Sequence, residues 1–222
     1  MRRSRQQSPI TNGVTKRHRA PQAPQRRQDG DGEVRDARAR LVEAAVEAFA
    51  AKGFHGTTTR DIAAAAGMSP AGIYVHHRSK EDLLYVISRS GHDRTLAVVE
   101  EAVGSSDSPR EQLLAVVRGL VALHARGHTR ARTVNYELAA LTPAHLSELA
   151  AIRRKIQRTV RAVVEAGAAA RDFEVRDAAV ATLAVLSLAI DVSRWYRDEG
   201  SWSPEDISEQ YADLALRIVG AR

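Results

Sequence analysis

The residues able to do chemistry are few, and their spacing argues against catalysis. The 222-residue chain has no cysteine, which excludes a disulfide framework, a Cys-ligated zinc or iron–sulfur centre and a thiol nucleophile. His124, His128 and His145 suggest a metal site by residue type. No carboxylate stands at the HExxH type of spacing, however, and Gly127 between the first two reads as a helix cap. There is no glycine-rich phosphate loop and no Ser/His/Asp set that spacing would support. No enzyme activity, cofactor or metal is therefore expected. What remains is a run of hydroxyl and basic side chains, Thr57-Thr58-Thr59-Arg60, with Ser69-Pro70 shortly after it.

The elements that must position these groups read as helices throughout. Apolar residues never alternate at period two as a strand requires. Four prolines each follow a hydroxyl residue (Ser69-Pro70, Ser108-Pro109, Thr142-Pro143 and Ser203-Pro204). A hydroxyl N-cap before proline at the first helical position is a start signal, because the missing N–H would have gone unpaired. Glu111 and Asp206 complete box-like patterns, and Thr58 with Asp61 and Ser79 with Asp82 repeat the spacing. These starts predict nine helices near 36–51, 59–65, 70–76, 80–103, 109–126, 129–141, 143–169, 175–198 and 204–219. The fold class is all-α, with a three-helix N-terminal unit and a six-helix C-terminal one. The expected divisions are 1–34, 35–95 and 96–222.

Net charge sharpens the division. Residues 1–34 hold eight basic and three acidic side chains, so +5 of the chain's +6 lies in a tail with too few apolar residues to bury a core. The tail reads as disordered, either a nucleic-acid-seeking arm or a solubilising extension. No stretch reaches the roughly 18 apolar residues of a membrane span, and no leader is evident, so a cytoplasmic location without membrane contact is expected.

Helix 36–51 sets Leu41, Ala45, Ala48 and Phe49 on one face, and Gly53 supplies a positive-φ stop. Two short helices follow, joined by a turn at Gly67, with small Ala63 at their crossing and Ile62, Met68 and Ile73 to fill a small core. This suits a helix-turn-helix or an ordinary helical hairpin.

Over residues 36–85, Gly53-Phe54-His55-Gly56-Thr57-Thr58-Thr59-Arg60-Asp61-Ile62-Ala63, Ala66-Gly67-Met68-Ser69 and Ile73-Tyr74-Val75-His76-His77-Arg78-Ser79-Lys80-Glu81-Asp82-Leu83-Leu84 closely resemble the DNA-binding domain of TetR-type repressors. The resemblance implies a helix-turn-helix near 58–77, with 70–76 in the major groove of operator DNA. Thr58, Thr59 and Ser69 then stand at helix N-termini that suit a phosphate. Tyr74, His76 and Lys80 match positions that meet the DNA backbone, and Arg60 is the candidate for a guanine edge. Two departures stand out. Pro70, Ala71 and Gly72 leave the recognition helix poor in long side chains, so reading rests on methyl contacts, DNA shape and Arg60. His77 replaces the usual Phe and is expected to pack as a neutral ring.

Farther on, Ala178–Ile190 carries no charge and is expected to be buried on most faces. Ile207, Tyr211, Leu214 and Ile218 form a seam on the last helix. The two helices resemble the pair through which TetR-type proteins form a homodimer, which would suit a palindromic operator. Ser193–Pro204 resembles TetR-type regulators of fatty-acid and steroid degradation, some of which bind acyl-coenzyme A, although Asp198-Glu199 stands where they often have Pro-Gly. A pocket between Ala-rich helices is expected, with His124, Asn135, Leu138, Arg153 and Trp195 as ligand-binding candidates. Trp195 and Trp202 equally suit a role pinning the last helices together. Together these features imply a dimeric regulator released from DNA by a small hydrophobic or acyl-coenzyme A effector. The alternative is a helical ligand-binding or interaction protein without sequence-specific DNA binding.

Overall fold

Hydroxyl side chains start most of the helices. The computed structural model describes residues 26–221, and side chains from residue 34 onward. The helices are α1 (Arg26–Gly56), α2 (Thr59–Ala65), α3 (Pro70–His76), α4 (Lys80–Gly104), α5 (Pro109–Arg126), α6 (His128–Tyr136), α7 (Pro143–Ala169), α8 (Ala178–Trp195) and α9 (Pro204–Ile218), with a 3-10 turn at Leu138–Ala140. Thr58, Ser69, Ser79, Ser108, Thr142 and Ser203 each accept a hydrogen bond from a backbone N–H of the first turn they cap. No strand occurs among the described residues.

Three expectations need correction. The first helix begins at Arg26 rather than at 36, so residues 26–34 of the expected tail are helical. Once the packed turns beyond Leu41 are nucleated, backward propagation adds one hydrogen bond per residue and needs no buried face. Residues 1–25 lie outside the described residues. The stretch 129–141 divides, because α6 ends at Tyr136 and the chain continues as the 3-10 turn. Finally, α8 is not buried on most faces. It is an 18-residue helix of mean hydropathy 1.5, with only 39% of it buried. Its Ala181, Val185, Ala189 and Val192 enter the core, whereas Val180 and Leu183 remain exposed. The expected seam on α9 is split in the same way. Ile207 is buried with Ala212 and Ala215, while Leu214 and Ile218 face outward.

Two apolar cores result. The larger one gathers Leu113, Val117, Leu120 and Val121 of α5 with Val160 and Val164 of α7, Val185 and Ala189 of α8, and Ala212 and Ala215 of α9. The smaller one lies beneath the helix-turn-helix, where Leu41, Phe49, Ile62, Ile73, Leu83 and Ile87 meet. It also takes in Val134 of α6, Leu141 just before α7 and Leu149 within it. Gly53 (φ 71, ψ 167) breaks α1 and lets Phe54 turn back onto Phe49, with ring centroids 5.5 Å apart. Gly67 (φ 67) makes the turn between α2 and α3, a conformation side-chain-bearing residues rarely adopt.

His77 closes the small core. It is 2% exposed, and Nδ1 lies 3.1 Å from Asp82 Oδ2. Burial holds its pKa below the ordinary 6.5, and the opposing pull of Asp82 is weaker. The folded state therefore resists protonation that the unfolded chain accepts. Stability is complete above pH 6.5 and is lost progressively as pH falls below it towards the lower folded value. Urea midpoints taken at about pH 7.5 and about pH 5.5 are expected to show this loss, and His77→Phe to reduce it. At the α4–α6 crossing, a Cβ on Gly91 would lie 2.6 Å from Val134 Cγ2. Gly91→Ala is expected to cost about 1–3 kcal/mol despite better helix propensity. The loss should appear as a lower Tm, and Val134→Ala in the same chain should restore it.

Candidate DNA interface and ligand cavity

The helix-turn-helix turns a distinct set of groups outward. Tyr74 is 60% exposed on α3. Pro70 and Ala71 are exposed beside it, Gly72 and His76 are half-buried, and Arg60 is exposed at the start of α2. Among the described residues Arg60 makes no ion pair. The N-terminus of α2 is already occupied by its own acid. Thr58 N and Oγ1 both donate to Asp61 Oδ2, at 2.9 and 2.7 Å, and Asp61 N donates back to Thr58 Oγ1 at 3.1 Å. The Thr58 hydroxyl holds the Asp61 carboxyl below its ordinary pKa. Thr58 is thus chiefly a cap, while Thr59 beside it is half-buried with its amide at the open helix end. Ser69 Oγ accepts from Gly72 N at 3.2 Å and keeps its own O–H.

Lys80 is also engaged. Its ammonium donates to Phe54 O at 2.7 Å and Thr57 O at 2.6 Å, and sits 4.2 Å from the Phe54 ring centroid. It ties the start of α4 to the break after α1, with one N–H left over. Val75 was not singled out from the sequence, yet at 78% exposed it is the most open apolar side chain on α3. The available signal was its position: Ile73 faces inward, so residues 74 and 75 turn away from the core.

The second site is a two-compartment space among α4–α8. The inner cavity, about 140 Å³, is walled by His92 and Thr95 of α4, His124 of α5, Asn135 of α6, Arg153, Ile156 and Gln157 of α7, and Leu183, Leu186, Ser187 and Ile190 of α8. The outer cleft, about 380 Å³, shares Thr95, His124 and Asn135 and adds Arg94, Arg126 and Arg130. Arg126 pairs with Glu205, and Arg130 with Glu43. His124 and Asn135 line both compartments and Arg153 the inner one. Leu138 and Trp195, the other two expected ligand residues, line neither. Leu138 packs against the small core. Trp195 packs edge-on against Trp202 and at a tilt against Tyr211, with centroids 6.5 and 6.3 Å away.

His92 was missed. Nδ1 lies 2.8 Å from Ser88 O, and Nε2 lies 3.3 Å from Arg153 Nη1. Its core position was legible, four residues after Ser88 and seven before Val99 on the buried stripe of α4. Burial lowers the pKa of both His92 and His124. Among the described residues, no three His, Asp or Glu side chains cluster as a metal site.

The family model of bacterial regulatory proteins of the tetR family matches residues 41–86. That of the tetracyclin repressor-like C-terminal domain matches residues 106–219. The HTH-type transcriptional repressor KstR2 of Rhodococcus jostii is 30% identical over 81% of this chain and 89% of its own length. The chain belongs to the TetR family. It carries the helix-turn-helix DNA-binding domain and helical C-terminal domain of these transcriptional regulators. A tetR-family regulatory protein from Rhodococcus RHA1 superposes with a TM-score of 0.80 at 43% identity, over 84% of this chain and 98% of that one. The TetR-family regulator PfmR of Thermus thermophilus gives 0.75 at 30% identity, over 80% and 97%.

On this TetR-type interface, Tyr74→Phe is expected to weaken binding to all DNA sequences alike. Because the lost phosphate contact is an uncharged hydrogen bond, the slope of log affinity against log salt should stay nearly unchanged. Arg60→Ala is expected to relax sequence preference as well, and Val75→Ser to do so at a thymine position. Fluorescence anisotropy across salt concentrations and single-base operator variants checks all three.

Proposed function

We propose that this chain is a ligand-released repressor that binds a palindromic operator as a homodimer in the cytoplasm. The observation that carries the ligand half is the division of the cavity: a small inner compartment with Leu120, Ile156, Leu183, Leu186 and Ile190 on its wall, opposite a larger cleft bearing Arg94, Arg126 and Arg130. That polarity suits an amphipathic effector with an apolar head and a polyanionic tail, the chemistry of an acyl-coenzyme A thioester. Relatives point the same way. The Fatty acid metabolism regulator protein of Bacillus subtilis is 29% identical over 44% of this chain. AibR, solved with isovaleryl coenzyme A and operator DNA, shares the fold with a TM-score of 0.74.

The dimer half rests on the outward faces of α8 and α9. Val180 (62% exposed), Leu183, Leu214 and Ile218 are large apolar side chains that the chain itself leaves uncovered. Two copies packing these helices together would remove them from water and fix the separation of the two recognition helices. Val180→Glu with Leu214→Glu is expected to yield a monomer in light scattering. Operator affinity should fall by about 10²-fold or more with the loss of bivalent binding.

The deciding experiment is a gel shift with the DNA flanking the chain's own gene, followed by addition of a panel of acyl-coenzyme A compounds. Release with a coupling of about 5- to 150-fold in operator affinity is expected. Release by an unrelated hydrophobic compound alone would remove the thioester and keep the repressor. Failure to bind any DNA would leave the reading of a helical ligand-binding protein.

A further inference from the structure

Three polar side chains form the neck common to both compartments, and each ties one donor to its own helix. Thr95 Oγ1 donates to Gly91 O at 2.9 Å, and Asn135 Nδ2 donates to Ala131 O at 2.9 Å. His124 Nδ1 lies 2.7 Å from Leu120 O. A carbonyl oxygen only accepts, so these contacts fix the atoms: His124 carries its proton on Nδ1, and Asn135 turns its amide nitrogen to the backbone. Burial keeps the His124 ring neutral. Left for a ligand are the lone pairs of Thr95 Oγ1, His124 Nε2 and Asn135 Oδ1, with the second N–H of Asn135 the one donor among these three side chains. The neck is rich in acceptors.

His92 shows what such a ring requires. It is held in the same tautomer by Ser88 O, and its Nε2 meets the Arg153 guanidinium. His124 is only 3% exposed, and its Nε2 has no protein partner yet stays open to the cavity. A buried acceptor of this kind favours ligands that bring a donor and rejects isosteres that do not. Cationic donors are disfavoured by Arg153 and Arg94 on either side. A carboxylate or thioester carbonyl would set lone pairs against lone pairs.

We infer that the effector carries a hydroxyl that donates to His124 Nε2 at this neck, so that the site selects hydroxylated ligands over unhydroxylated ones of the same skeleton. The inference rests on the reading of this cavity as the effector site. The inner compartment, about 140 Å³, is smaller than the roughly 300 Å³ of a full ligand pocket. Only the hydroxylated end passes the neck, and the remainder lies in the arginine-lined cleft.

The test uses the full-length protein and two pairs of probes. In the first, 2-pentanol and 2-pentanone share a skeleton and differ as donor and acceptor. Long-range ¹H–¹⁵N spectra of the histidine rings should show His124 Nε2 moving with the alcohol and not with the ketone. In the second, calorimetry compares 3-hydroxybutyryl-coenzyme A with butyryl-coenzyme A. The hydroxylated thioester should bind about tenfold tighter, the worth of one buried hydrogen bond, and His124→Phe should abolish the difference. Equal response to alcohol and ketone, or none to either, overturns the inference and leaves the neck to water. Because the alcohol pair needs no variant, a His124→Phe chain that fails to fold does not blunt the result. If neither thioester binds while the alcohol moves His124, the acyl-thioester reading fails and the hydroxyl preference stands.

Discussion

Val134 and Asn135 are neighbours in the chain; both line the outer cleft, and Val134 also belongs to the small core. Val134 is 4% exposed and packs in the core beneath the helix-turn-helix, against Gly91 of α4. Asn135 lines both parts of the cavity. One short helix, α6, is therefore a wall of the ligand space and a floor of the DNA-reading unit. With a hydrogen at Gly91, α4 and α6 approach so closely that a methyl group would collide. Interiors at this density do not yield gradually, and a change of α6 position must be taken up by α4 and the small core together.

The same economy governs polar groups. Thr95, His124, Asn135, His92 and Thr182 all hydrogen-bond the carbonyl four residues back on their own helix. Back-bonding satisfies the donor locally, so a polar residue enters a helical bundle without a partner from another helix. Its cost is that the acceptor side remains to be matched. The larger core solves this by having few polar groups, and the cavity is where they gather.

Helix starts were legible because they are local. A hydroxyl, a proline and an acid three residues on suffice to specify an N-terminus, and α2, α3, α5 and α7 run within the limits their caps predict. The helix-turn-helix was legible from its glycine turn and core pattern together with its family resemblance. Features set by distant neighbours were not. Composition showed α8 as apolar all round but could not show which side chains of α8 and α9 the chain itself covers. Leu138 and Trp195 were credible ligand groups by type and position. The 3-10 turn and the aromatic cluster with Trp202 took them elsewhere. His92 went unnoticed because nothing local distinguishes a histidine on a core stripe from one at the surface.

The helix shared by the cavity and the small core is also the least anchored by its own sequence. α6 has nine residues, follows directly on Gly127 and has no side-chain cap at its N-terminus, unlike α2, α3, α4, α5, α7, α8 and α9. Nine residues are too few for intrinsic helix stability, so tertiary contacts must hold it. Several of these lie at the surface: Arg130 with Glu43 on α1, His128 with Asp198 at 3.3 Å and Tyr136 with Asp191 at 3.2 Å. Exposed contacts of this kind, ion pair or hydrogen bond, are worth roughly 0–1 kcal/mol each. Regulation of DNA binding by an effector needs a coupling of about 1–3 kcal/mol. Exchanging two or three such contacts is of that order, whereas disturbing the valine and leucine core of α5, α7, α8 and α9 would cost far more. Energetically, a shift of α6 is therefore within reach of the coupling that the proposed effector response requires, whereas a shift of the larger core is not.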